Sequence, residues 1–299
     1  MAQVAVVKTE DRAKGVNRAL ALLDVRSMGG GHVFLKPNFN SDDPFPGSTH
    51  NDTLRALVNA LRNRDAGSIT VGDRSGMGET RRVMERKGIF AMADELGFDT
   101  LVFDEMDADG WELRDAPGSH WERGFPVARP ILDADVVVQT CCLKTHRYGG
   151  HFTLSLKNSV GLVAKEVPGE GYNYMSELHG SPYQRLMIAE VNAGYDADLV
   201  VMDGLAAFVE GGPARGKQVQ PGVMLASTDR VALDAVGVAI LRCFGTTAAA
   251  ERGPIFEQEQ IARAVELDLG VDAAEEIELV TDDDASASFA SEIRAILRQ

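Results

Sequence analysis

Short apolar runs of strand length alternate along this chain with stretches whose apolar residues recur every three or four positions. Residues 4–7 form the first β-branched run, and Val16, Ala19, Leu20 and Leu23 then fall on one helical face. A second run starts at Val33. Behind it Leu54, Leu57, Val58 and Leu61 repeat at helical spacing, with Asn51 and Asp52 as the expected cap. Residues 69–71 predict a strand that ends at Gly72-Asp73-Arg74-Ser75-Gly76. Helical segments over 79–87 and 90–96 follow, then a strand over 100–103. Residues 104–129 are irregular, rich in Gly, Pro and acid, with room for an edge hairpin.

After a strand beginning at Val136, residues 147–182 show little periodicity; a stretch that long inside a domain reads as a lid or active-site loop. The remainder predicts a helix over 185–193, a strand over 198–202 and a glycine-rich loop over 210–216. A strand over 222–226, helices over 230–241 and near Gln258, a strand over 277–280 and a helix from Ser286 complete the chain. Strand–helix alternation with continuously apolar strands predicts an α/β fold, with a largely parallel or mixed sheet covered by helices on both faces. No linker or repeat divides the chain, so residues 1–299 read as a single α/β domain, with the irregular insertions forming a small lobe.

Composition narrows the function classes. The chain is 44% hydrophobic and 25% charged, as in soluble globular proteins. No apolar run approaches the roughly 20 residues of a membrane span, and the start shows no signal-peptide pattern. Three cysteines, two of them adjacent at Cys141 and Cys142, cannot build a disulfide framework, so a reducing cytoplasm is the expected location. The net charge of −15 argues against nucleic acid as a partner. Acid near the carboxyl end, including Asp272, Glu275, Glu276 and residues 282–284, reads as a solvated surface. A homodimer is the default expectation for assembly.

Against that acidic background, two apolar runs end in lysine and further polar groups: Val33-Phe34-Leu35-Lys36-Pro37-Asn38, and residues 136–146, closing Leu143-Lys144-Thr145-His146. Ligands of open α/β sheets bind outside the carboxyl ends of strands, so Lys36, Asn38, Lys144 and His146 are expected in one crevice that attracts an anion. A lysine ending one strand often only reaches solvent. Two such endings favour a site. Lys144 and His146, one residue apart, point the same way in extended backbone, and an imidazole beside ammonium groups is held below its usual pKa. That suits a base working near neutral pH.

Ser155-Leu156-Lys157-Asn158-Ser159-Val160-Gly161 adds a second polar cluster, with Lys157 and Asn158 as substrate-binding candidates beside Ser75, Gly211 and Gly212. Thr49-His50-Asn51 precedes a helix; His50 reads equally as an acid, base or ligand and as the incidental neighbour of a capping residue. His50, Asp73, His146, His179 and Asp203 form a scattered pool of divalent-metal ligands, of which Asp73, His179 and Asp203 are taken as the metal candidates. Thr228-Asp229 and Asp234 read as helix-capping and structural. Phosphate-loop, dinucleotide and nucleophile-elbow motifs do not occur.

Leu35-Lys36-Pro37-Asn38, Thr49-His50, Val71-Gly72-Asp73-Arg74-Ser75, Leu143-Lys144-Thr145-His146 and residues 155–161 occur in an order that resembles the DUF362 family, a domain of unknown function. Asp203-Gly204, Glu210-Gly211-Gly212-Pro213 and residues 228–234 extend the resemblance over roughly residues 1–245. Many members of that family carry a ferredoxin-like segment with cysteine clusters; three cysteines cannot supply them, so no iron–sulfur cluster is expected. The family is distantly similar to the lactate racemase catalytic subunit, an α/β protein that moves hydrogen at a hydroxy acid.

The preferred expectation is an enzyme of isomerase, racemase or lyase type that moves a proton on a small carboxylate-bearing anion. Lys36, Asn38, Lys157, Asn158, Ser75, Gly211 and Gly212 would bind it; His146, His50 and Lys144 would be catalytic; a divalent metal would sit on Asp73, His179 and Asp203. One alternative is a redox enzyme served by an external electron carrier or a bound organometallic cofactor. Another is a non-catalytic metal- or cofactor-binding protein. No membrane partner is expected.

Overall fold

Buried β-branched runs dictate the centre of the molecule. The computed structural model describes residues 1–299 except Asp24 and Arg26. The strands are β1 (Ala2–Lys8), β2 (His32–Lys36), β3 (Ser68–Asp73), β4 (Asp99–Val102), β5 (Trp111–Arg114), β6 (Phe125–Ala128), β7 (Val136–His146), β8 (His151–Phe152), β9 (Leu199–Gly211), β10 (Gly216–Val219), β11 (Val223–Ser227) and β12 (Ile277–Val280). The main sheet has ten strands in the order β12-β1-β11-β9-β7-β2-β3-β4, with β10 on β9 and β8 on β7. From β4 to β9 the neighbours are parallel; β11 runs antiparallel to both β9 and β1, and β12 is parallel to β1. The sheet is therefore mixed.

Helices cover both faces, as continuously apolar strands require. On one face Arg12–Leu22, Asn51–Arg62, Thr80–Arg86 and Ile89–Leu96 bury Val16, Leu20, Leu54, Leu57, Val58 and Leu61 against Leu35, Val71 and Val138. On the other, Arg230–Cys243, Glu259–Glu266 and Asp284–Leu297 enclose Val6, Met202 and Leu225. Trp111, Trp121 and Phe125 form a third apolar cluster with helices Tyr174–Gly180 and Gln184–Val191, backing Phe34 and Val137.

Several local expectations are corrected. The hairpin anticipated at a sheet edge is a separate two-stranded sheet, β5 with β6. β7 does not stop at Lys144: its pairing with β9 shifts register between Cys142 and Lys144, and the strand continues to His146, where β8 pairs with it. Residues 147–182 are not one long loop, because β8, helix Ser155–Asn158, a 3₁₀ turn at Ser159–Leu162 and helix Tyr174–Gly180 occupy them. The strand expected over 198–202 runs on to Gly211 because β11 pairs with it as far as Gly204 and β10 pairs with its far half.

This topology positions the site. β2 leads through β3 to β4 on one side, while β7 and then β9 lie on its other side. The order reverses between β2 and β7, and the crevice outside their carboxyl ends is the binding position that α/β sheets provide. Lys36 ends β2, Asp73 ends β3, and Lys144 and His146 close β7.

Candidate functional site

A cavity of about 820 Å³ opens at that reversal. Among the described residues Lys36, Arg74, Lys144, Lys157 and Lys165 line it against a single carboxylate, Asp73. Four of the eight lysines in a chain of net charge −15 thus face one space. Low-dielectric walls carrying one sign of charge focus the field into the cleft and draw in the opposite sign.

At the base of the cavity Lys36 is about 1% exposed, and its Nζ donates to Asp73 Oδ1 at 2.8 Å, the Pro37 carbonyl at 2.8 Å and Asn158 Oδ1 at 3.2 Å. An ammonium has three N–H groups, so Lys36 has none left for a ligand. Asp73 also accepts from the backbone N–H of Phe39 at 2.7 Å and of Arg74 at 2.8 Å. Burial pushes the Asp73 carboxyl up and the Lys36 ammonium down; their mutual attraction and the backbone donors oppose both shifts. Every group that meets Asp73 here donates to it, which is the environment of a carboxylate. Gly161 closes over this pair because nothing larger fits: a Cβ there would lie 2.5 Å from Asp73 Oδ1 and 2.8 Å from Lys36 Nζ.

Two amide side chains connect this pair to β7. Asn158 Oδ1 accepts from Lys36 and, at 3.1 Å, from Asn38 Nδ2; Asn38 Oδ1 accepts from Lys144 Nζ at 2.9 Å. Lys144 is buried and donates also to the Gly47 carbonyl at 2.6 Å, leaving one N–H for the cavity. Burial lowers its pKa, and no carboxylate hydrogen-bonds to it among the described residues. Asp234, on helix Arg230–Cys243, accepts from the backbone N–H of Ser155 at 2.7 Å and of Leu156 at 3.0 Å. It thereby caps the short turn that presents Lys157 and Asn158.

Lys157 differs from its neighbours. It is 8% exposed, faces the cavity, and makes no hydrogen bond or ion pair to protein among the described residues. Burial, then repulsion from Lys144 and Arg74, brings its pKa down to about 8. His146 lies beside it: a Cβ on Gly150 would sit 2.9 Å from His146 Nδ1 and 3.1 Å from Lys157 Cε. The His146 Nδ1 atom is buried without a partner among the described residues, and burial with the nearby Lys157 and Lys144 charges holds the ring far below the ordinary histidine pKa. A neutral imidazole with a free ring nitrogen is a proton acceptor. His179 Nδ1 pairs with Gln184 Nε2 at 2.8 Å at the rim, its pKa lowered by burial and by Lys157.

The structure thus brings together Lys36, Asn38, Asp73, Lys144, His146, Lys157, Asn158 and His179. It places the other candidates elsewhere. His50 is the N-cap of helix Asn51–Arg62, its Nδ1 accepting from Asp52 N at 3.1 Å, so the capping role expected of Asn51 and Asp52 belongs to His50 itself. Asp203 is held by Arg12 at 2.8 Å and by Thr53 at 2.5 Å beneath the helices of the opposite face. Ser75 is buried, donating to the Phe39 carbonyl at 2.6 Å. Gly211 packs against the Arg215–Gly216 backbone and Gly212 against the end of β7, where a Cβ would overlap the Thr145 carbonyl, and it is Pro213 that reaches the wall. Asp73, His179 and Asp203 do not converge, and among the described residues no three His, Cys, Asp or Glu side chains are grouped to hold a metal ion.

Arg74, Asn40, Lys165, Tyr148, Thr153, Asn173 and Ser176 complete the polar wall and were not among the sequence candidates. Asn40 follows Asn38 at strand-like spacing of two, a signal present in the sequence; its Nδ2 is buried without a partner among the described residues. Arg74 Nε and Nη2 donate to the Val163 and Val160 carbonyls at 2.6 and 2.7 Å, tying β3 to the 3₁₀ turn over the cavity.

Fold and cavity together define an α/β protein with a cation-lined crevice at the reversal of its strand order. The chain belongs to the family described as Domain of unknown function (DUF362), which matches residues 33–239. A thylakoid-associated protein of Synechocystis sp. is 28% identical over 216 residues, 71% of this chain and 64% of that protein, so the chain spans less than two thirds of that relative. The lactate racemase apoprotein of Thermoanaerobacterium thermosaccharolyticum aligns with a TM-score of 0.47 at 16% identity, covering 68% of this chain and 50% of that one. No helix among the described residues is long and apolar enough to cross a membrane.

Proposed function

We propose that this chain is an enzyme that binds a carboxylate-bearing anion in the crevice and moves a proton at the carbon beside a carbonyl or hydroxyl group. The observation that carries the reading is the His146 Nδ1 atom, buried, unpartnered and set against Lys157 in a wall of five cations. An unsatisfied buried polar atom costs about 1–3 kcal/mol, a cost that packing alone gives no reason to retain. Lys157, with the free N–H of Lys144, receives the carboxylate; Lys36, Asp73, Asn38 and Asn158 hold those groups in place. Once the anion is seated, the neutral imidazole abstracts the neighbouring proton, and the ammonium groups stabilise the enolate charge that develops. The chemistry is of the isomerase, racemase or lyase kind.

Solvent exchange tests this directly. Incubation with a panel of small 2-hydroxy and 2-oxo acids in deuterated water should wash deuterium into the α-position of at least one of them, read by proton NMR. His146→Gln should abolish the exchange and leave anion binding within a few-fold. Undiminished exchange in that variant would falsify the assignment of His146.

A further inference from the structure

We infer that Lys157 is a covalent catalytic residue: its Nζ condenses with the carbonyl carbon of a small 2-oxo acid to form an imine, with His146 carrying the proton. The inference rests on the preceding reading of the cavity as an anion site and goes beyond it in giving Lys157 a bond to make.

The geometry separates Lys157 from the other lysines of the wall. The Nζ of Lys36 is consumed by Asp73, Pro37 and Asn158, and two of the three N–H groups of Lys144 are taken by Asn38 and Gly47. Lys165 lies 3.9 Å from Asp104. Among the described residues Lys157 alone of these four has neither a hydrogen-bond acceptor nor a carboxylate, although its side chain is almost wholly buried. A nucleophilic amine needs a lone pair that no acceptor occupies, and an amine surrounded by apolar walls and other cations releases its proton more readily than one in water. Met175 and Val160 supply apolar wall to the same cavity, and the free N–H of Lys144 remains to hold the substrate carboxylate. Gly150 permits the approach, since any side chain there would separate His146 Nδ1 from the Lys157 stem.

The step balances without any further reactant. Near its pKa of about 8 Lys157 gives one proton to solvent, and the free amine attacks the carbonyl carbon, forming a C–N bond as the carbonyl π bond opens. Proton shifts within the adduct yield the neutral carbinolamine. A proton from solvent, relayed through His146, reaches the carbinolamine hydroxyl, which leaves as water while the nitrogen lone pair closes the iminium. One ammonium and one carbonyl have become one iminium and one water, and the proton given to solvent has been returned. The iminium then withdraws electrons from the adjacent carbon, which eases the proton abstraction already assigned to His146.

Reductive trapping decides it. The full chain is incubated with pyruvate at about pH 8, reduced with sodium borohydride, and its eight lysines are mapped by peptide mass spectrometry. The expected result is one saturable adduct, on Lys157, suppressed by malonate, which carries carboxylates but no ketone. Exposed Lys217 serves as the background reference. Lys157→Arg keeps a cation in place but has no amine that can form the imine, and it should lose the adduct. A second measurement, independent of any variant, is the labelling rate with trinitrobenzenesulfonate, in which Lys157 should exceed Lys217 at least tenfold and be protected by malonate. If malonate binds the wild-type chain but Lys157 is neither trapped nor faster than Lys217, the covalent step is overturned and the anion site stands. If malonate does not bind and Lys157 is unmodified, both fall.

Discussion

Asparagine in place of Asp73 is the sharpest test of how the crevice is held together. The substitution preserves shape but removes the only carboxylate that lines the cavity among the described residues. Asp73 Oδ1 accepts from Lys36 Nζ and Arg74 N, both at 2.8 Å, and Oδ2 accepts from Phe39 N at 2.7 Å. Whichever way the new amide turns, its NH₂ faces a donor, and Lys36 becomes a buried cation without a counter-ion. Breaking a buried pair in this way costs about 3–5 kcal/mol. Lys36→Met should cost a similar amount, because Asp73 then keeps only backbone donors. The double variant, with neither charge, should lose far less than the sum, giving a coupling energy of at least about 2 kcal/mol.

Urea unfolding followed by circular dichroism measures each corner of this cycle. With slopes of about 1–3 kcal/mol per molar, the single variants should shift the midpoint down by roughly 1 M or more. Anion binding should move the other way in Asp73→Asn, since the wall gains one unit of positive charge; tighter malonate binding by calorimetry is expected. Additive costs, or single variants within about 1 kcal/mol of the parent, would refute the account of Asp73 as the ionised anchor of Lys36.

Three further perturbations follow from the same geometry. Gly161→Ala drives a methyl to within 2.5 Å of Asp73 Oδ1, so it should cost about 1–3 kcal/mol in a urea melt and weaken malonate binding at least tenfold. Because Lys157 loses its charge through about pH 8, malonate affinity should be full below that pH and fall as pH rises through it; calorimetry across that range should give a flatter profile for Lys157→Arg. For His146 the folded pKa is lowered, so the unfolded chain takes up a proton first: stability should decline as pH falls below about 6.5, by up to about 1.4 kcal/mol per unit from this group. Urea melts at about pH 7.5 and 5.5 should show a smaller loss for His146→Gln; an equal loss would place the acid sensitivity elsewhere.

What the sequence disclosed and what it concealed differ by physical cause. Alternation in extended backbone made Lys144 and His146 co-directional, and the structure keeps both on the cavity with Thr145 turned away to the Phe208 carbonyl. Strand ends were equally legible at Lys36 and Asp73. Asp203-Gly204 looks the same in sequence as the end of β3, yet it falls in mid-strand, because β10, which pairs with β9 out to Gly211, comes from residues after it. The register shift beside Cys142 is likewise a property of two strands, and neither run alone encodes it. Whether a lysine is free or saturated could not be read either. Lys36 and Lys157 are both near-buried cations on polar motifs, and only the packing of Asn158, Pro37 and Asp73 around one of them sets their roles apart.

That contrast bears on why the crevice exists at all. Burying an ammonium without a counter-ion works against folding by several kcal/mol, and replacing such groups with apolar residues often stabilises a protein. Lys144 and Lys157 are both almost fully buried, neither hydrogen-bonds to a carboxylate among the described residues, and each lowers the pKa of His146. Stability alone therefore gives no reason for this arrangement, whereas an anion seated between them supplies the opposing charge and accepts their remaining N–H groups. It follows that ligand should stabilise the fold as well as occupy it. A bound anion at a hundred times its Kd adds about 2.7 kcal/mol, which a thermal melt with malonate resolves readily. Lys157→Met should invert the balance, with a melting temperature at or above the parent's in buffer and no further rise on adding malonate. A variant that melts lower than the parent and still responds to malonate would mean that Lys157 is held for packing and that the anion binds elsewhere.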